Sequence, residues 1–232
     1  MFIKPNREKP KQPKSAQPAN PDAANMKPFD LDQLSRDYVL EHEKIRILSY
    51  DEVIEQGKVF GEDLWWDRNY GYYICDFSND EAGRDDEGTY FTGLAFELYE
   101  NGNLSYYQYY KDGLQDGEDV EFFPSGAVQH YGVWKDNKSI TGNYYTWFES
   151  GQIRKYTFRN PSTRLYETYE WYESGRVMLH SFRTKSAGVE QTYEWYENGK
   201  IKSYESCDNR GCLLKRTRYD EDGKVTEQFK RP

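Results

Sequence analysis

One turn motif recurs along the C-terminal two thirds of the chain, and its period constrains the fold more than any other feature. The copies are Tyr99–Gly102 (YENG), Phe123–Gly126 (FPSG), Phe148–Gly151 (FESG), Tyr172–Gly175 (YESG) and Tyr196–Gly199 (YENG), with Asp220–Gly223 (DEDG) as a weaker sixth. Their glycines are spaced 24, 25, 24, 24 and 24 residues apart. A register held that closely indicates a repeat architecture in which each unit stacks on its neighbours.

Each copy reads as a β-hairpin. The Asn-Gly or Ser-Gly pair supplies the left-handed residue that a short hairpin loop with a bulge requires. Alternating aromatic strands flank it, such as Tyr193–Tyr196 before the turn and Lys200–Tyr204 after it. Second turns of variable length join successive hairpins at Lys111–Gly113, Lys135–Asn137, Arg159–Asn160 and Asp208–Gly211. The expected fold is mainly β: six hairpins over residues 89–232 forming an elongated antiparallel meander. About twelve strands near 4.8 Å apart would extend roughly 55 Å if the sheet stays open.

Pairing outward from each turn without interruption sorts the residues onto two faces. One face collects Leu98, Phe122, Trp147, Trp171 and Trp195 with Leu104, Val128, Ile153, Val177 and Ile201, extended by Phe96, Val120, Tyr145, Tyr169 and Tyr193. The other collects Glu97, Glu121, Glu170 and Glu194, with Tyr107, Tyr131, Tyr156 and Tyr204 as a stripe beside them. In that register Ser105, Gln129, Met178 and Lys202 oppose the acids, so only Glu194 has a cationic partner. Tyrosines interleaved with carboxylates are typical of interfaces. These eight Glu and Tyr residues are therefore the expected partner-binding set. The apolar face is expected to be covered, since an open row of tryptophans invites aggregation.

Ahead of the repeats the chain changes character. Residues 1–28 hold six of the nine prolines, among Lys, Gln, Asn and Ala. They are expected to form an extended tail dispensable for folding. Residues 29–88 read as a mixed α/β capping segment. In it Asp30 is expected to cap a short helix through Leu31, Leu34 and Tyr38, with strands at 45–48 and 70–77 and an acidic loop at 79–88. That loop lacks the alternating ligands and the distal bidentate Glu of a calcium site.

Charge and chemistry narrow the function classes. Six basic and two acidic residues in 1–28 leave 25 basic and 38 acidic residues in the rest. So acidic a body repels nucleic acid and anionic lipid and attracts basic partners. No apolar run is long enough to cross a membrane, and the N-terminus has no apolar signal region. With only three cysteines, the expected compartment is the cytoplasm; Cys207 and Cys212 flank a turn across which a disulfide is within range, and free thiols are the favoured reading while the cytoplasmic one stands. Motifs for hydrolases, nucleotide binding or zinc are missing. His130 and His180 lie two hairpins apart, about 19 Å by strand spacing, too far for one metal. No catalytic residue, metal or cofactor is expected.

The unit YENG, a hydrophobic residue, two spaced tyrosines and a Lys-Asp-Gly turn resembles the variant MORN repeat of bacterial YwqK-family antitoxins. The segment Tyr131–Asn137 (YGVWKDN) is similar to the core of ordinary MORN repeats. The resemblance covers about residues 90–230 and departs from the pattern at His180 and in the last copy. It implies a non-enzymatic antitoxin or immunity protein that occludes a cognate toxin, for which the acidic body favours a basic partner. The alternatives are a MORN-type scaffold for protein or membrane association, and a structural repeat protein without a toxin partner.

Overall fold

A computed structural model of the protein describes residues 35–66, 74–76, 89–139, 142–160, 165–183 and 189–232. The expected Asp30 cap, the tail and the acidic loop lie outside these residues. Two short helices lead: α1 (Arg36–His42) and α2 (Tyr50–Gln56). β1 (Gly57–Val59) follows, and then β2 (Leu64–Trp66), β3 (Ile74–Asp76) and β4 (Thr89–Tyr90) pair as a small separate sheet. The meander comprises β5 (Gly93–Leu98), β6 (Leu104–Lys111), β7 (Leu114–Phe122), β8 (Val128–Lys135), β10 (Gly142–Trp147), β11 (Ile153–Asn160), β12 (Leu165–Trp171), β13 (Val177–Arg183), β14 (Glu190–Trp195), β15 (Ile201–Cys207), β16 (Leu213–Tyr219) and β17 (Val225–Lys230). A two-residue strand, β9 (Lys138–Ser139), pairs with β8 off the main path. Those twelve strands pair antiparallel in chain order and the sheet stays open, as the repeat period predicts. At its N-terminal edge β1 adds a thirteenth strand, parallel to β5.

The glycine turns are built alike. Gly102 has φ +83°, its N–H donates to the Tyr99 carbonyl at 2.9 Å, and the Tyr99 N–H donates to the Asn103 carbonyl at 2.8 Å. The same pair of bonds recurs at the other five copies and again at Asp208–Cys212. The link turns at Asp112-Gly113 and Asp136-Asn137 carry two consecutive positive φ values, as a two-residue hairpin demands.

One feature of the hairpins overturns the expected register. Leu98 pairs with Leu104, but Glu97 then pairs with Tyr106 and skips Ser105. An equivalent bulge follows the turn in every copy, at Glu121/Phe122, Thr146/Trp147, Glu170/Trp171, Glu194/Trp195 and Arg218/Tyr219. One extra residue moves everything beyond it to the opposite face. Tyr107, Tyr131, Tyr156 and Tyr204 therefore pair with Phe96, Val120, Tyr145 and Tyr193 and lie on the apolar face, not beside the glutamates.

The helices cover part of that apolar face. Ser35 caps α1 by accepting from the Tyr38 N–H at 3.4 Å, and Ser49 with Glu52 forms a reciprocal capping box on α2. Seven-residue helices are marginal alone and depend on packing. Val39, Leu48 and Val53 supply it, in one core with Phe96, Tyr107, Val120, Tyr145, Trp147 and Tyr156. The expected strand at 45–48 is instead an unpaired connection between the helices. Ile45 and Ile47 pack against the sheet rather than joining it, and the Leu48 N–H donates to Tyr107 Oη at 3.2 Å. α1 is pinned at its start, where the Arg36 N–H donates to the Gly151 carbonyl at 2.9 Å and its guanidinium reaches the Val128 carbonyl at 3.3 Å.

Candidate functional site

The four glutamates do share one face and one row. Reading across the strands, cross-strand partners run Glu97, Tyr106, Glu121, His130, Thr146, Lys155, Glu170, Leu179, Glu194, Ser203, Arg218 and Glu227. The row is less acidic in effect than the unbulged register implies. Lys155 Nζ lies 2.9 Å from Glu170, Lys202 Nζ lies 3.3 Å from Glu194, and Tyr106 Oη donates to Glu97 at 3.0 Å. Further along, Arg216 and Arg218 engage Glu205 and Glu227 at 2.6 and 2.8 Å. The acidic ladder is thus mostly paired: the bulge after Gly151 turns Lys155 onto this face beside Glu170, and the bulge after Gly175 sets Leu179 rather than Met178 on the other side of Glu170.

A second row on this face holds small hydroxyls and one buried acid. Thr157 and Thr168 share a hydrogen bond at 3.1 Å, and Ser181 and Thr192 another at 3.0 Å. Nearer the N-terminal edge, buried Asp119 accepts from Gln108 at 2.9 Å and from Trp134 Nε1 at 2.8 Å. His130 sits beside it, with Nε2 3.9 Å from the Asp119 carboxylate and Nδ1 3.6 Å from Glu121. Burial holds the His130 imidazole below its ordinary pKa, against the pull of those two acids. Gly132 makes room for this arrangement: a Cβ there would sit 3.1 Å from His130 Nε2 and 3.2 Å from the Tyr144 ring. These groups fill one another's space. Among the described residues, no group of three or more His, Cys, Asp or Glu is placed to hold a metal ion.

On the apolar face the tyrosine stripe lies in one cross-strand row, with ring contacts at several of its steps. Tyr145 and Tyr156 are 5.3 Å apart between centroids, Tyr169 and His180 4.0 Å, and Tyr193 and Tyr204 4.9 Å. His180 takes the stripe position in the fourth copy, stacking on Tyr169 while its Nε2 meets Glu167 at 2.9 Å. Tyr107, Tyr131 and Tyr156 are buried under or beside the helices, so no partner can reach them in this arrangement; Tyr204 is half-buried. Burial pushes the Tyr107, Tyr131 and Tyr156 phenols up, keeping them protonated. Their place is the core.

Cover is unequal along this face. The core that α1 and α2 complete runs from Leu94 to Trp171. Beyond it, every residue of β14 is half-buried, and Ile201, Tyr204 and Tyr219 are likewise partly open. Val225 is exposed. The expectation that the tryptophan face is covered therefore holds only for the first half of the sheet.

The turn tyrosines have a structural task that the sequence did not reveal. Tyr99 Oη donates to the Phe122 carbonyl at 2.7 Å, Tyr172 to Trp195 at 2.9 Å and Tyr196 to Tyr219 at 2.8 Å. Each ties its hairpin to the next one. Constant 23-residue separations are the signal from which this could have been read. Cys207 and Cys212 are free, as expected, and burial with Glu205, Glu190 and Asp208 nearby raises the Cys207 pKa.

No family model matches the chain. It is similar to the immunity protein YwqK of Bacillus subtilis (strain 168), at 44% identity over 63 residues, which is 27% of this chain. The matched stretch spans about a third of that protein's length, 36%. This partial likeness supports a relationship to YwqK.

Proposed function

We propose that the protein is a non-enzymatic immunity protein that binds a protein toxin and blocks it by stoichiometric occlusion. The observation that carries the reading is the 44% identity to an immunity protein over 63 residues. The architecture supplies a means. An open sheet pinned by bulged hairpins and inter-repeat tyrosine bonds is a rigid surface that loses little entropy on binding. The polar face offers interlocked ion pairs and hydroxyls, a surface suited to covering a protein partner. Variant MORN repeats in the cytoplasm and a basic toxin remain part of the proposal. The acids of the first two repeats, eight against three basic residues in 89–139, would draw a basic protein inward.

The test is to capture the partner of the chain from its native host by affinity purification and to co-express the two. Growth protection with recovery of a stable complex supports the reading. Full toxicity in the presence of folded, soluble chain would refute it.

A further inference from the structure

The outward side of α2 carries two rows of side chains that the fold does not use. Val53 is buried against the sheet, and the opposite side of the helix presents Tyr50, Asp51, Ile54 and Glu55, all exposed. Residues four apart align along a helix. Tyr50 and Ile54 therefore make an apolar row, 47% and 40% exposed, with Asp51 and Glu55 as an acidic row beside it. Helix stability does not explain the acids. Asp51 in the first turn suits the helix dipole, but Glu55 in the last turn opposes it, and two carboxylates at i, i+4 repel one another. A seven-residue helix has little stability to spare.

Charge specifies what fits these rows. Glu52 is answered by Arg46 and by the Ser49 cap, and Glu170 and Glu194 on the sheet by Lys155 and Lys202. Asp51 and Glu55 have no ion pair among the described residues. Residues 35–66 hold eight acidic and four basic residues, and the first two repeats, whose β5 packs against α2, hold eight and three. Residues 200–232 reverse the sign, with nine basic and six acidic. The molecule is thus acidic at the end where α2 lies, and its field steers a cationic surface there. A second copy meeting this helix across a two-fold axis would set the acidic rows against each other.

We propose that the outward face of α2 docks a basic segment of the partner protein, with Tyr50 and Ile54 against the aliphatic stems of its lysines or arginines and Asp51 and Glu55 paired with their charged ends. Long cationic side chains carry an apolar stem and a charged head, which match the two neighbouring rows. An exposed tyrosine beside unanswered charge has the make-up of an interface anchor. The proposal rests on the reading of the chain as a toxin-binding protein and deepens it.

The probe is a helical peptide of about four turns with a leucine row beside a lysine row, compared with the same peptide carrying glutamate for lysine. Titrated against the full chain at low salt, the lysine peptide should bind saturably and the glutamate peptide about tenfold more weakly. Asp51→Lys with Glu55→Lys should weaken the lysine peptide about tenfold. Glu221→Lys with Asp222→Lys, which adds the same charge at an exposed turn of the last hairpin, should change it less than about threefold. Asp51→Asn with Glu55→Gln, which leaves α2 without like charges, should weaken it about threefold and serves if the reversal melts the helix. Tyr50→Ala with Ile54→Ala should weaken binding even at about 0.5 M salt, where the charge pairs are screened. Absence of lysine-peptide binding, equal effects of the two charge reversals, or full binding by the alanine pair overturns the proposal. So does a self-association in sedimentation that the Asp51 and Glu55 reversal abolishes, because the basic last repeats of a second copy would then be the occupant. Toxin neutralisation that survives this reversal overturns the docking site and leaves the immunity reading standing. Selective peptide binding without any toxin neutralisation does the opposite.

Discussion

Tyr156 and Tyr204 occupy the same repeat position, one inside the core that α1 and α2 complete and the other beyond it. Replacing each by alanine measures what that cover contributes. Tyr156 is 2% exposed, with its ring 5.3 Å from Tyr145 and its Oη donating to Asn143 at 2.9 Å. Truncation removes a buried aromatic and leaves a void between sheet and helix, which costs about 3–5 kcal/mol. The lost hydroxyl bond adds only about 0.5–1.5 kcal/mol, because Asn143 is partly open and water replaces the donor. Tyr204 packs on Tyr193 at 4.9 Å but is half-buried, so its truncation should cost about 1–2 kcal/mol. A gap of about 2 kcal/mol corresponds to nearly 1 M in urea midpoint at a slope of about 2–3 kcal/mol per M. Urea titrations followed by tryptophan fluorescence would read it. Midpoints for Tyr156→Ala and Tyr204→Ala that agree within 0.2 M would refute the claim that α1 and α2 close only half of the face, the threshold being about a fifth of the expected shift.

Gly151→Val should cost about 1–3 kcal/mol from backbone strain at φ +85°, and more than Gly199→Val at the same φ, because only Gly151 has the Arg36 guanidinium 3.3 Å from the new Cβ; equal thermal shifts would contradict the docking of α1 there. Tyr172→Phe should lose about 0.5–1.5 kcal/mol by cutting the bond to the Trp195 carbonyl, with faster amide exchange in the next hairpin as the readout. His130 makes stability pH-dependent. Its folded pKa lies below the unfolded value, so the unfolded chain takes the proton first. Stability from this group is complete above about pH 6.5 and falls as pH drops below it, levelling off beneath the folded pKa. His130→Gln should flatten the slope of stability against pH in that window, and an unchanged slope would show that another group is responsible.

The architecture was legible because the glycine period, repeated six times, and the aromatic alternation, kept in the first five copies, are local signals. Twelve meander strands and their turns follow from them directly. The two faces were legible only as far as the bulge. Ser105, Gln129 and Met178 bear no mark of the extra residue, since any side chain can sit at such a site, and a slip of one residue carries every tyrosine of the stripe across the sheet. The glutamates precede the bulge and so stayed where expected. The α2 helix went unread although Ser49 and Glu52 have the spacing of a capping box, and Ile45 and Ile47 have the alternation of a strand yet lie on the sheet. That the cover stops near Trp171 depends on long-range packing, which no local pattern encodes.

Stoichiometry of toxin inactivation tests the proposed function most directly. A fixed amount of the toxin captured with the chain would be titrated with purified chain and its residual activity measured at successive times. Occlusion predicts a straight fall to an end point at a fixed molar ratio, unchanged on longer incubation and reversed when the complex is denatured and the toxin refolded. Progressive loss of activity at a small fraction of that ratio would contradict it, because the chain would then be acting as a catalyst on its target.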